Sequence, residues 1–212
     1  MAGIIDPHVL RSGMITQTHK DALMCRGIEY VLGSTRCHNG IVTNRKGYWY
    51  IIDPVPPRVR LRPLAYWDEM IYEGYSIDFL WPSWATPEQG RAAAAFMNVN
   101  AVGTDYPELT AARLIILKFW QSFPWRIRSG HQYRDWCSLW VRDAWATAAH
   151  LDWSTKPDGR EKLNPTPKTV QNRIIEGRLR VVASYGPLAR AKYRPVAYTP
   201  SGTPLTVRPA FA

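Results

Sequence analysis

The sequence CHNGIVTNRKGYWYIID (residues 37–53) contains two runs that are typical of β-strands, at 40–43 and 47–53. Three polar residues, 44–46, separate the two runs. Two β-rich runs with a short polar segment between them indicate a β-hairpin. This hairpin is the starting point for the fold and for the candidate site.

The hairpin relates a histidine to a carboxylate. If its turn is centred near Arg45 and Lys46, His38 and Asp53 lie opposite each other on neighbouring strands. Directly opposite residues have Cβ atoms about 4.5–5.5 Å apart, so we expect the imidazole and the carboxylate to be in contact. The alternative is that Asp53-Pro54 only begins a turn, which is a common use of this dipeptide.

The surrounding sequence predicts a mixture of helices and strands. Thr86-Pro87-Glu88-Gln89 is typical of a helix start, with Thr86 as N-cap and Gln89 three residues later. Hydrophobic periodicity and glycine stops predict helices over 20–32, 63–72, 86–102, 109–120, 135–151 and 169–176, and strands over 59–62, 77–80 and 179–183. We therefore expect an α+β fold in which a small antiparallel sheet packs against helices.

Composition and charge divide the chain into two parts. The 212 residues are 46% hydrophobic, which excludes wholesale disorder and suits one domain with an appendage. The net charge is +10, but from residue 154 onward 11 basic residues face 3 acidic ones, so this segment carries +8. Five prolines after residue 184 favour an extended path. We predict a domain over 1–183 and an extended, basic, Pro-rich C-terminal arm over 184–212.

The sequence also suggests a cellular setting. No apolar run approaches the roughly 18–20 residues that a transmembrane helix needs, and the first 20 residues do not resemble a secretory signal. We therefore expect synthesis in the cytoplasm. Three cysteines cannot build a disulfide framework, and an odd count predicts free thiols in a reducing compartment.

Cys137 is the candidate nucleophile, because it lies in the first turn of the helix predicted over 135–151. The partial positive charge at a helix N-terminus stabilises a thiolate, and its unpaired N–H groups stabilise an oxyanion. We expect the Cys137 backbone N–H, between Trp136 and Ser138, to contribute to an oxyanion hole. The alternative is a buried cysteine that only packs among the neighbouring tryptophans.

A cysteine nucleophile needs a base, and His38 with Asp53 as its orienting carboxylate is the best candidate. Metal chemistry has weaker support, because the sequence contains no CxxC, HExxH or HxH pattern and a strand would point Cys37 and His38 to opposite faces. No Gly-rich phosphate-binding loop is present either. We therefore expect neither a metal nor another cofactor.

Five segments, taken in order, resemble the circularly permuted papain-like cysteine amidases and peptidases, which are the permuted branch of the NlpC-like hydrolases. The resemblance covers roughly residues 10–183, excludes the arm, and rests on the order of the segments. The segments are STRCHNGIV (34–42), YIIDP (50–54), AVGTDY (101–106), WCSLWV (136–141) and LNPTP (163–167).

The resemblance implies a permuted papain-like fold and a thiol hydrolase that cleaves amide bonds. Cys137 would attack the carbonyl, His38 would transfer the proton and Asp53 would orient His38. The implied substrates are peptidoglycan peptides, with lipid or other acyl amides as the alternative. The chain departs from the family pattern at Asp53, where glutamate is common, and after Ser138, where Leu139 replaces the common acidic residue.

A second hypothesis is a structural component of a virion or a similar assembly, built on the same fold and with catalytic activity optional. The basic arm would then dock on a neighbouring protein chain or an anionic surface. Tryptophans at predicted surface turns (Trp81, Trp84 and Trp125) favour this hypothesis.

Nucleic-acid binding is a third hypothesis. Arg58, Arg60 and Arg62 alternate along one predicted strand and would form a basic face. The same alternation with Val59 and Leu61 is typical of an ordinary half-exposed strand, which we favour. We therefore do not expect a nucleic-acid partner.

Overall fold

The computed structural model of the chain describes residues 3–106, 137–154 and 167–188. Within these ranges, six strands form one sheet in the order β4-β3-β2-β1-β5-β6, and all neighbours are antiparallel. The strands are β1 (Ile15–His19), β2 (His38–Arg45), β3 (Tyr48–Val55), β4 (Arg58–Pro63), β5 (Ser76–Pro82) and β6 (Leu179–Tyr185). The prediction of an α+β fold with an antiparallel sheet is confirmed.

Helices pack against this sheet. They are α1 (Leu23–Leu32), α2 (Leu64–Tyr72), α3 (Pro87–Asn100), α4 (Cys137–Asp143) and α5 (Pro167–Ile175), with a 3₁₀ turn at Pro7–Val9. A π-helical segment, Ala144–Ala148, continues α4 directly, so the predicted single helix changes its winding and ends before Leu151.

Local sequence signals fix two helix ends as expected. The Thr86 hydroxyl accepts a hydrogen bond from the Gln89 backbone N–H, and the Gln89 side chain accepts one from the Thr86 N–H. This reciprocal pair satisfies donors that the first turn of α3 cannot satisfy itself. Helix α1 ends at Gly33, whose φ of 61° lies in the left-handed region that glycine adopts at low cost.

Strand β1 lies in the middle of the sheet, although the sequence did not predict it. Its residues Thr16, Gln17 and Thr18 are polar, yet each is at most 3% exposed. The Gln17 amide donates a hydrogen bond to the Pro167 carbonyl at the start of α5. Because the strand buries polar side chains, hydropathy does not distinguish it from a loop.

The β2–β3 hairpin has a different register from the predicted one. Arg45 pairs with Tyr48, so the turn is formed by Lys46 and Gly47, with φ values of 53° and 86°. Positive φ at both central residues is the requirement of a type I′ two-residue hairpin turn. Continuing this register places Asp53 opposite Gly40, so the prediction that Asp53 lies directly opposite His38 is wrong by two residues.

The tryptophans support core packing more than a surface role. Trp81 is 1% exposed and packs edge to face against Trp145, with ring centroids 5.6 Å apart. Its assignment to a surface turn is therefore wrong, because it lies in β5. Trp84 is 53% exposed, as expected, and Trp125 lies outside the described residues.

Several predictions fall on parts of the chain that the structure does not describe. These are the helix over 109–120, the beginning of the helix predicted over 135–151, including Trp136, and residues 189–212 of the arm. Strand β6 runs to Tyr185 and so includes the first two residues assigned to the arm. No helix of the described ranges is long and apolar enough to cross a membrane.

Candidate active site

His38 and Asp53 form a close pair on β2 and β3. The His38 Nε2 atom lies 2.6 Å from Asp53 Oδ1, although the two residues are diagonal neighbours rather than directly opposite. Diagonal neighbours are about 7–8 Å apart, and their Cβ atoms somewhat closer, which long or aromatic side chains still bridge. The predicted contact therefore exists, through a different register.

Arg62 holds the second oxygen of the same carboxylate. Its Nε donates to Asp53 Oδ2 over 2.7 Å, and its guanidinium lies 4.1 Å from the centroid of the Tyr66 ring. Asp53 is 3% exposed. Hydrogen bonds on both oxygens fix the carboxylate, which in turn orients the imidazole.

Helix α4 brings Cys137 to the same imidazole. The thiol of Cys137 is free and 7% exposed, and it lies close enough to His38 for the charge of the imidazole and a hydrogen bond from it to lower the pKa of the thiol. Because Asp53 occupies Nε2, Nδ1 is the ring nitrogen left to face the sulfur. The structure thus brings together the three residues predicted as catalytic, Cys137, His38 and Asp53.

The electrostatics of the pair favour a thiolate and an imidazolium. Burial by itself lowers the pKa of His38, but the charge of Cys137 and the hydrogen bond and charge of Asp53 outweigh it and raise this pKa from 6.5 to about 10. Burial by itself raises the pKa of Cys137, yet the His38 charge and its hydrogen bond lower this pKa below the ordinary 9.0. An activated cysteine nucleophile needs this arrangement.

Asn39 and Ser138 are the polar residues next to the Cys137 sulfur. A hydrogen bond from the Asn39 backbone N–H helps to lower the pKa of Cys137, and the Asn39 side-chain amide donates to Ser138 Oγ over 2.5 Å. Both residues are fully buried, and Ser138 Oγ lies 3.9 Å from the sulfur. The hydrogen bond between Asn39 and Ser138 therefore links β2 to α4 next to the nucleophile.

Tyr106 occupies the position expected for an oxyanion. The Cys137 backbone N–H, which the sequence assigned to an oxyanion hole, donates to the Tyr106 hydroxyl over 3.2 Å. The Tyr106 backbone N–H is itself tied to the Pro57 carbonyl. An oxyanion that accepted a hydrogen bond from the Cys137 N–H would have to replace the Tyr106 hydroxyl. Trp136, the other residue predicted there, lies outside the described residues.

Arg62, Asn39 and Tyr106 are the site residues that sequence reasoning did not assign. The alternation of arginines in β4 was a usable signal, because it places Arg62 on the face of the sheet that carries Asp53. Arg58 also has a carboxylate partner, Asp105, at 3.2 Å. Two arginines of the proposed basic strand thus have carboxylate partners within the chain.

The prediction that the cysteines are free thiols is wrong for two of the three. Cys25 and Cys37 form a disulfide, with Cα atoms 5.2 Å apart. Cys25 lies in the first turn of α1, and this turn lies next to Cys37, the residue just before β2. A pair 12 residues apart in an odd set of cysteines carries no sequence signal of this contact.

Cys137, His38 and Asp53 form a triad whose donor atoms are not arranged to share one metal ion. Asp53 contacts Nε2 of His38, and Cys137 faces the other ring nitrogen. Among the described residues, donor atoms of His19, Cys25 and Glu29 are the ones close enough to share an ion, all lying within 4.8 Å of one another. That group is separate from the triad.

Alkylation of the oxidised chain tests the thiolate–imidazolium pair directly. With Cys25 and Cys37 joined, iodoacetamide reports on Cys137 alone. An ordinary thiol loses reactivity about tenfold per pH unit below its pKa, since the thiolate is the nucleophile. We expect wild-type labelling to persist from pH 9 down to neutrality and His38→Ala to lose it over that range. Equal pH profiles for the two chains would contradict the ion pair.

Comparisons with known proteins give a likeness of fold and no match of sequence. No protein-family model matches the sequence, and no curated protein matches it. The structure is similar to the crystal structure of the metalloprotein yiiX (DUF1105) from Escherichia coli O157:H7, with a TM-score of 0.56 and 17% identity. The similarity covers 84% of this chain and 98% of yiiX. At this identity the likeness concerns the fold alone, so the chemistry has to be argued from the chain's own residues.

Proposed function

We propose that the protein is a thiol hydrolase that cleaves amide bonds. The observation that carries the proposal is the placement of the Cys137 thiol beside His38, whose imidazole is hydrogen-bonded to Asp53, which is in turn held by Arg62. A buried thiol paired with an imidazole whose other nitrogen is held by a carboxylate is the arrangement of nucleophile, base and orienting group.

The proposed reaction follows from this arrangement. The Cys137 thiolate attacks the amide carbonyl carbon, and the carbonyl electron pair moves to oxygen. As the C–N bond breaks, the His38 imidazolium donates its proton to the departing amine, which leaves a thioester on Cys137. His38, now neutral, takes a proton from water; the hydroxide attacks the thioester, and the acid leaves with regeneration of the thiolate. Asp53 keeps the imidazole oriented throughout.

The oxyanion would form beside the Cys137 backbone N–H. Preorganised donors at this position are worth about 2.7–4 kcal/mol each in acyl transfer. Because Tyr106 accepts from this N–H in the resting structure, substrate binding has to displace its hydroxyl. Tyr106 thus lies at the boundary between the nucleophile and the substrate.

The substrate class rests on the resemblance of the sequence segments to the permuted papain-like hydrolases. It favours the amide bonds of peptidoglycan peptides, with N-acylated amines of lipids as the alternative. Both substrates supply an acyl group for Cys137 and an amine as leaving group, so the same residues serve either.

Trapping of the acyl-enzyme tests the proposal. The oxidised chain is mixed with muropeptides or with N-acyl amino acids, quenched in acid within seconds, and analysed by intact and peptide mass spectrometry. We expect the mass of the acyl group on Cys137 and release of the matching amine. The control is the same chain after alkylation of Cys137, which should give neither. Acylation at another residue, or amine release from the alkylated chain, would overturn the proposal.

A further inference from the structure

A second cluster of reactive side chains lies outside the triad, where the end of β1 meets α1. His19 closes the strand, and Cys25 and Glu29 lie one helical turn apart on α1. His19 Nδ1 is 2.5 Å from Glu29 Oε1, and the Cys25 sulfur is 3.8 Å from the same oxygen. The His19 and Glu29 side chains are 14% exposed, and Cys25 is 6% exposed. The proposed hydrolysis uses none of them.

Cys37 supplies a fourth donor to this cluster. Its sulfur is bonded to that of Cys25, which is one of the three clustered donors, and lies 3.6 Å from the Thr18 carbonyl oxygen just before His19. Two thiolates, an imidazole nitrogen and a carboxylate oxygen form a set of ligands typical of tetrahedral zinc. In such a site neighbouring donor atoms lie about 3.3–3.8 Å apart, given metal–ligand distances of about 2.0–2.3 Å. The 3.8 Å between the Cys25 sulfur and the Glu29 oxygen already matches this spacing.

The backbone around the cluster is held by contacts that do not depend on the disulfide. The Cys37 N–H donates to the Thr18 carbonyl of β1 over 3.0 Å. Arg36, the residue before Cys37, forms a buried ion pair with Asp78 of β5. At the other side, the Ser34 N–H bonds the Glu29 carbonyl and fixes the end of α1. Reduction of the disulfide would therefore leave the two cysteines held next to each other, with the Cys25 sulfur beside Glu29.

We propose that His19, Cys25, Glu29 and Cys37 form a redox-controlled binding site for a zinc-like divalent cation. In the oxidised state the two sulfurs bond to each other. A dithiol reductant supplies two electrons and two protons and becomes a disulfide itself, which yields two thiols on the chain. Binding of the cation then releases these two protons to solvent. Oxidation by a disulfide reverses the sequence and expels the cation.

The Lys20 backbone N–H adds support to one ligand. It lies 3.4 Å from the Cys25 sulfur and donates to it, and such hydrogen bonds stabilise thiolate charge in metal sites. The cation also has a structural consequence, because Cys37 directly precedes His38. In both redox states the start of β2 is thereby fastened to α1, by a covalent bond in one and by shared coordination in the other.

Cobalt binding to the full chain tests this site with a readout that does not depend on catalysis. The chain is reduced, freed of reductant under anaerobic conditions, and titrated with Co²⁺, whose thiolate charge-transfer and visible bands report sulfur ligation and tetrahedral geometry. We expect one equivalent to bind to the reduced chain, displacement by Zn²⁺, and no such bands for the oxidised chain.

Variants separate this site from the triad. Glu29→Gln keeps both sulfurs and the disulfide, so it folds as the wild type does, and we expect its affinity to fall by at least about 10–100-fold, the cost of altering even an outer-shell partner. Cys137→Ser should bind as the wild type does. Bands that vanish in Cys137→Ser and persist in Glu29→Gln would assign the cation to the triad and overturn the proposal. A reduced wild-type chain without thiolate bands would also overturn it.

Discussion

Cys137→Ala is expected to abolish the proposed amide hydrolysis, because no other described residue can take the place of its sulfur beside His38. Cys25 and Cys37 are joined in a disulfide and offer no free thiol. His38→Ala should lose nearly as much activity, since the residues of a catalytic unit act together and their effects are not additive. A positioned base alone contributes about 10²–10⁴-fold. The measurement is kcat/KM on whichever amide acylates the wild-type enzyme.

Two controls make this result specific. Tm values of the variants should stay within a few degrees of the wild-type value, because Cys137→Ala removes one atom from a site that already contacts solvent at its edge. Cys25→Ser/Cys37→Ser should retain measurable turnover, which would separate the nucleophile from the disulfide pair. Substantial residual activity in Cys137→Ala would refute the assignment.

The proposed reaction also predicts a pH dependence. Turnover of the wild-type chain should fall as pH rises through about 10, where His38 loses the proton that it donates to the amine.

Local sequence signals were sufficient to predict helix ends and the presence of the β2–β3 hairpin. The capping residues around Thr86 and the left-handed glycine at Gly33 act within a few residues of chain. The same holds for the hairpin itself, whose two runs carry β-branched and aromatic residues. These elements could be predicted because the interactions that define them are short in sequence.

The centre of the sheet could not be predicted in this way. Strand β1 buries Thr16, Gln17 and Thr18, and their polar groups are balanced by partners such as Pro167 that lie far away in sequence. The hairpin register depended on positive φ at Lys46, a residue that adopts this conformation less readily than glycine. Burial of polar groups and backbone strain are both properties of the folded chain.

The candidate site also contains residues that the sequence indicates and residues that only folding brings together. Cys137, His38 and Asp53 carry chemistry that is visible in residue type and order, so the sequence identified them. Asn39 and Tyr106 act through a backbone N–H and a hydroxyl that only the folded chain brings to Cys137, the hydroxyl as acceptor of the Cys137 backbone N–H. The disulfide and its neighbours His19 and Glu29 likewise come together only in the folded chain, where α1 lies next to the end of β1 and the start of β2. Their spacing in the sequence matches no metal-binding motif.

Asp78→Ala is expected to give the largest loss of stability among single substitutions away from the apolar core. Asp78 is fully buried in β5, where Oδ2 accepts from Arg36 Nε over 2.8 Å and Oδ1 accepts from Ser184 Oγ over 2.5 Å. Removing one partner of a buried ion pair leaves a desolvated charge and costs about 3–5 kcal/mol. We expect a fall in Tm of roughly 6–20 °C, at about 2–4 °C per kcal/mol for a domain of this size.

A double substitution distinguishes the lost charge partner from lost packing. Arg36→Met/Asp78→Leu removes both charges and restores apolar volume, and such replacements are often neutral or stabilising. We therefore expect the double variant to recover most of the stability that Asp78→Ala loses. The matched surface control is Arg91→Ala, which breaks the exposed pair with Glu88 and should leave Tm almost unchanged. If Asp78→Ala were as mild as Arg91→Ala, the ion pair would not be holding Arg36. Since Arg36 is two residues before His38 and directly precedes Cys37, the same substitution should also loosen both neighbouring sites, seen as faster hydrogen exchange at the start of β2.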